Sequence, residues 1–228
     1  MKDLIEKILT YLPVYIPDLV GIVSNPKRFV AGHSKSSEGE LIKALTFLGI
    51  SISISAILQA PITISGKEFV TDTGSHAILY ILFVVVFSAI LRLSWGIVGG
   101  KADYQRFLVT SSYYAGVIVI ALAIASLCFI GVLRIFYPQS YELFFKIAAT
   151  SNLHEVIETK PDIVGGIVAA FLVFLIVILP ALIWGVIGWG VYRELNQSPR
   201  LRSCIALFLT LVFSLPVIGI EMMIALAI

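Results

Sequence analysis

The sequence predicts an all-α, polytopic membrane protein with five transmembrane helices and an N-terminal interfacial amphipathic helix. Three observations carry this. Of 228 residues, 59% are apolar and 13% charged, whereas soluble domains carry about 25% charged residues. The apolar residues gather in five runs, at about 41–60, 78–98, 108–132, 163–189 and 204–228. Each is near or above the roughly 20 residues with which an α-helix crosses about 30 Å of hydrocarbon. The connections also share the basic residues unequally: 12 of the 16 Lys and Arg fall on one side of a five-span arrangement and 4 on the other. Basic connections stay cytoplasmic, so the N-terminus is expected inside and the C-terminus outside.

Two parts follow from this division, a cytoplasmic amphipathic segment over 1–40 and a transmembrane domain over 41–228. In the first part, Leu4, Ile5, Ile8, Leu9 and Leu12 recur at helical spacing opposite Lys2, Asp3, Glu6 and Lys7. That is an interfacial helix, too short and too charged to span. The interrupting charges also argue against a cleavable signal. Pro13 and Pro17 are expected to break the helix, with a short apolar segment over 18–23 behind them. Asn25-Pro26 starts a turn. Pro26, Lys27, Arg28 and Phe29 then read as an interfacial anchor, with the cations at anionic headgroups and Phe29 dipping into the interface. Residues 31–40 read as a polar loop.

The first span, 41–60, alternates Ser51, Ser53 and Ser55 with isoleucines. A β-barrel strand shows such a period of two for about 10 residues, but the surrounding run is too long and continuous, so the span is helical. Its serines are expected to bond to their own helix or a neighbour. An external loop over 61–75 leads to the central hairpin, spans 78–98 and 108–132 joined by the turn Gly99-Gly100-Lys101-Ala102-Asp103-Tyr104-Gln105-Arg106. The longest external loop, 133–160, holds a candidate interfacial helix over 141–148 and the pair His154-Glu155, a weak suggestion of a metal or a proton relay. Pro161 suits the first turn of the fourth span. Gly165 and Ala169 permit a close helix contact, Pro180 should kink the helix, and Trp184 and Trp189 fit an inner aromatic belt. The turn over 192–202 carries Arg193, Arg200 and Arg202, and the fifth span holds Pro216 near its middle.

Two ionisable residues lie inside spans. Arg92 sits toward the cytoplasmic third of its helix, and a charge deep in the bilayer costs at least about 2.5–3.5 kcal/mol on insertion scales. Its long side chain can snorkel toward Lys101, or it bridges helices. Glu221 lies toward the external side, too far in depth from Arg92 to pair with it. It either bonds to a neighbouring helix or marks a polar pathway.

The residues argue against several functions. A net charge of +2 is too small to suggest a nucleic-acid partner, and Cys128 and Cys204 make neither a disulfide framework nor a metal site. No Gly-rich phosphate loop, zinc-binding helix or nucleophile motif occurs, so no catalytic residue, metal ligand or cofactor is assigned. The expected partners are the lipid bilayer and either a protein partner or a second copy of the chain.

The Asn25-Pro26-Lys27-Arg28-Phe29 element behind an amphipathic start resembles the YIP (Ypt-interacting protein) domain family. So do five spans, the Gly99-Gly100-Lys101 turn followed by Tyr104, and the pair Tyr113-Tyr114 in the next helix. The resemblance covers most of the chain in pattern and these short stretches in residues. It implies a multi-pass protein with a cytoplasmic N-terminus, whose eukaryotic relatives work with Rab-type GTPases in vesicle trafficking. This chain lacks their long polar N-terminal region. That points to a prokaryotic inner (plasma) membrane protein, with a Golgi or ER membrane as the alternative. The function expected is a non-catalytic adaptor or assembly subunit, with a partner on Leu4, Ile8 or the 99–106 turn. The alternative is a transporter, channel or lipid-moving protein using Arg92, Glu221, Pro180, Pro216 and the serine row.

Overall fold

A computed structural model describes residues 2–33, 37–59, 69–142 and 161–227, and the described chain is helical, without strands. The helices are α1 (Lys2–Ser24), α2 (Pro26–His33), α3 (Glu38–Gln59), α4 (Phe69–Ile97), α5 (Tyr104–Phe136), α6 (Pro161–Leu195) and α7 (Arg200–Ala227). Five of them, α3 to α7, are long and apolar enough to cross a membrane. On α6 the residues Val168, Phe171, Leu172, Leu175, Ile176, Leu179, Leu182, Ile183, Val186 and Ile187 are exposed in one continuous stripe. An apolar face of that length is solvated by lipid rather than water, so the chain fits an integral, multi-pass membrane protein.

α5 occupies the centre. It packs most broadly on α3, then on α6 and α4, while α7 packs on α4. Its first half supplies Thr110, Ser111, Ser112 and Gly116, all buried, and small residues let neighbouring helices approach on several sides. The core is aromatic and concentrated in this half: Phe47, Trp95, Phe107, Tyr113, Tyr114 and Tyr192 form it, with Tyr15 and Phe29 from the N-terminal helices.

Several helix boundaries differ from the sequence expectation, each for a local reason. α1 runs unbroken through Pro13 and Pro17. Each proline forfeits one intrahelical bond, but the burial of Tyr15 and Ile22 against the bundle holds the helix together. Asn25-Pro26 opens a helix rather than a turn: Asn25 Oδ1 accepts from the Arg28 N–H at 3.1 Å, and proline suits the first helical position. The expected loop over 31–40 is helical to His33. Residues 34–36 lie outside the description, and α3 starts at an N-cap in which Ser37 Oγ accepts from the Glu40 N–H at 3.3 Å.

Of the expected loop 61–75, residues 61–68 lie outside the description and 69–75 are helical. α5 and α6 have 33 and 35 residues, about 50 Å each at 1.5 Å per residue, so both project beyond the hydrocarbon. Pro180 and Pro216 lie inside α6 and α7. Of the expected interfacial helix at 141–148, residues 141 and 142 are helical and the rest lie outside the description, as do His154 and Glu155.

The close contact expected at Gly165 and Ala169 falls one residue later. Gly165 faces open space, whereas a side chain at Gly166 would run into Ser140 and Tyr137, and Ala170 is fully buried. Both pairs have four-residue spacing, which fixes a face but not its rotation toward a neighbour. Trp184 and Trp189 turn inward onto aromatic neighbours. Trp184 lies 4.8 Å from the Tyr114 ring, and Trp189 lies 5.7 Å from Trp95 while its Nε1 donates to Ser203 Oγ at 2.9 Å.

Candidate functional site

The candidate site is one end of the bundle, where three segments distant in sequence meet. They are the α1–α2 corner, the turn between α4 and α5, and the turn between α6 and α7. The two turns are built alike. α4 ends in a Schellman motif: Gly99 N–H donates to Gly96 O at 3.0 Å and Gly100 N–H to Trp95 O at 2.7 Å, with Gly99 at φ +85°. α6 ends the same way, with Gln197 N–H on Glu194 O at 3.0 Å and Ser198 N–H on Arg193 O at 3.1 Å. Here Gln197, not glycine, takes the left-handed position, at φ 49°.

Asn196 joins the two turns. It is 3% exposed. Its Oδ1 accepts from the Ala102 N–H at 3.2 Å and its Nδ2 donates to Tyr192 O at 2.8 Å. Gly100 is required by this contact, because a Cβ there would stand 2.5 Å from Asn196 Oδ1 and 2.8 Å from Trp95 O. Asp103 then caps α5, accepting from the Arg106 N–H at 2.9 Å. The Asn196→Ala variant leaves the buried Ala102 N–H unpaired, a penalty of about 1–3 kcal/mol. A lowered thermal midpoint in detergent checks it, and an unchanged midpoint would mean that the two turns are not coupled.

The α1–α2 corner is held by packing and one ion pair. Phe29 stacks on His33 at 4.2 Å and meets the Tyr113 ring edge-on at 4.9 Å. It is 8% exposed, so it is a core residue and not an interfacial anchor. Pro26 is buried too. Lys27 pairs with Glu194 at 2.7 Å, and Arg28 is exposed. Tyr15 reaches from α1 into the bundle, stacking on Phe47 at 4.8 Å with its hydroxyl 3.0 Å from Ser51 Oγ. Ser51 Oγ itself donates to Phe47 O at 2.9 Å, so Tyr15 is the donor to Ser51. The side chains of residues 2–11 lie outside the description, and Leu4 and Ile8 with them.

Asp18 sits in the same corner. Burial lifts its carboxyl above the ordinary range, opposed by His33 and Lys43 and reinforced by Glu40. A carboxyl with a raised native pKa holds its proton more tightly folded than unfolded, so its contribution to stability falls as pH rises from the ordinary value through the raised one. Asp18→Asn should therefore gain thermal stability relative to wild type as pH increases through that window. A gain that shrinks with rising pH would refute the assignment.

The sequence-predicted motif residues converge here. Gly99, Gly100 and Lys101 form the first turn, with Lys101 exposed. The Arg202 guanidinium lies 3.5 Å from where Gly99 would carry a Cβ. Tyr104 donates its hydroxyl to Val85 O at 3.0 Å, and Tyr114 donates to Gly188 O at 3.4 Å. Arg92 stays on its own helix, its Nη1 2.8 Å from where Gly96 would carry a Cβ, which directs the cation toward this same end. Glu221 lies on α7 far from these turns in sequence, and its side chain is outside the description.

In the serine row, Ser51 and Ser53 donate to carbonyls four residues back at 2.9 Å each, and Ser55 Oγ accepts from Gln59 Nε2 at 2.9 Å. Elsewhere in the spans Ser88, Thr210 and Ser214 donate to carbonyls four residues back, at 2.6, 2.8 and 2.7 Å. Asn196, Glu194 and Tyr15 were not predicted from the sequence. No family model, curated protein or solved structure matches this chain.

Proposed function

We propose that this chain is a non-catalytic membrane adaptor or assembly subunit of YIP-like type, whose basic end is cytoplasmic and receives a protein partner. One observation carries the reading. The α1–α2 corner is packed on α5 through Phe29 and Tyr113, and the two turns are joined by the Asn196–Ala102 hydrogen bond, which brings exposed Arg28, Lys101, Arg200 and Arg202 to one end of the bundle. The family resemblance adds to it, since Phe29 and Tyr113, taken from separate motif stretches, are in ring contact. A transport reading draws less support: Ser51, Ser53, Ser88, Thr210 and Ser214 each bond to a carbonyl of their own helix, and Arg92 lies along α4.

The test is polymer extraction from native membranes followed by mass analysis of what copurifies, with wild type and with Arg28→Glu combined with Lys101→Glu. A stoichiometric partner lost from the double variant, with the variant still folded, supports the reading. A pure homo-oligomer, or a partner retained by the variant, counts against it.

A further inference from the structure

A cavity of about 210 Å³ opens at the basic end between α2, the start of α5 and the end of α6. Its polar lining is Lys27, Arg106, Glu194 and Gln197, and Val30 and Leu195 contribute to the apolar part. Two cations and one carboxylate from three elements thus share one small space. An anion alone would leave the Glu194 carboxylate repelling it, and a cation alone would be repelled by Lys27 and Arg106. A group carrying both signs, phosphate and ammonium a short distance apart, satisfies all three.

Other features point to a ligand. The Lys27–Glu194 pair is about half exposed, with side-chain exposures of 43% and 50%. Such a pair adds little stability and opens readily when each end gains a new partner. Gln197, on the cavity wall, holds a left-handed backbone at φ 49° that glycine would adopt with less strain. The apolar residues Val30, Ala31, Val191 and Leu195 share the lining, so one wall accepts hydrocarbon while the other accepts charge.

We propose that this cavity binds a phosphoethanolamine group, the headgroup of a zwitterionic membrane lipid, with its phosphate on Lys27 and Arg106 and its ammonium on Glu194. Charge-assisted hydrogen bonds from both cations hold the phosphate, and Glu194 reads the primary ammonium, which distinguishes this headgroup from an anionic one of equal size.

The test reconstitutes the full chain in nanodiscs containing phosphatidylcholine with either phosphatidylethanolamine or phosphatidylglycerol, and counts retained lipid by native mass spectrometry. Wild type should retain phosphatidylethanolamine over the other two by about tenfold. Glu194→Gln should reverse the preference toward phosphatidylglycerol, and Arg106→Gln should abolish retention of both, with Arg106→Lys restoring it. Gln197→Gly should gain thermal stability while losing lipid preference, a split that a purely structural role would not produce. The exposed Arg200→Gln serves as the unaffected control. Thermal protection by glycerophosphoethanolamine in lipid-free detergent would assign the site to the free headgroup, and protection confined to the bilayer assigns it to the lipid. Equal retention of all three lipids by wild type, or an unchanged preference in Glu194→Gln, overturns the proposal.

Discussion

Gly116→Val should be among the most damaging single substitutions in the chain, because it forces α3 away from α5. A Cβ at Gly116 would stand 2.6 Å from Phe47 Cε1, 2.9 Å from Phe47 Cδ1 and 2.8 Å from Ser51 Oγ. Neither neighbour can yield. Phe47 is 2% exposed and is held between Tyr15 on one side and Tyr113 at 5.0 Å on the other. Ser51 is fixed by its bonds to Phe47 O and Tyr15. Overpacking of this kind costs about 1–3 kcal/mol, and loss of the Tyr15–Ser51 hydrogen bond adds about 0.5–1.5 kcal/mol. Thermal unfolding in mild detergent should show the loss, and hydrogen exchange should rise over residues 12–24 as Tyr15 is released. Trimming the neighbour with Phe47→Leu in the same chain should recover part of it. A wild-type midpoint for Gly116→Val would mean that α3 and α5 do not approach this closely.

The five spans were legible because hydrocarbon thickness imposes a minimum run of apolar residues, and nothing in a soluble core imitates five such runs. The helix ends were not, since hydropathy marks the part of a helix that lies in lipid while caps decide where it stops. Asn25, Ser37 and Asp103 are such caps. Each was present in the sequence, but Asn25-Pro26 supports a turn and a helix start equally well. The last turn of α6 looked like a connection because Tyr192, Arg193 and Glu194 are polar, yet Tyr192 is buried against Ser111 and Glu194 faces Lys27. Proline records the loss of one backbone bond and carries no information about the packing that compensates at Tyr15 and Ile22. The glycine turn at the candidate site was readable from Gly99-Gly100. Its partner was not: one asparagine in a polar turn is an ordinary turn former until the fold sets its amide beside Ala102.

Phe29→Ala should undock the N-terminal helices while the spans stay folded. Phe29 fills the junction of α1, α2 and α5. Its Cδ2 lies 2.9 Å from where Gly21 would carry a Cβ, and its ring covers Tyr113 and stacks on His33. Emptying a buried phenylalanine site costs about 3–5 kcal/mol, and the chain can avoid much of that by releasing α1 and α2 as one local unit. The remaining attachments are too weak to prevent release. The Lys27–Glu194 pair is half exposed and is worth about 0–1 kcal/mol, and Tyr15 contributes its ring contact and one hydrogen bond. Hydrogen exchange should therefore accelerate across residues 12–33 while 41–59 and 108–132 keep their protection. Lys27→Ala, which removes only the ion pair, should leave both regions near wild type. Uniform loss of protection in Phe29→Ala would instead make the corner part of the cooperative core. An effect of Lys27→Ala equal to that of Phe29→Ala would make the ion pair, rather than the aromatic packing, the element that fixes α2 on the bundle.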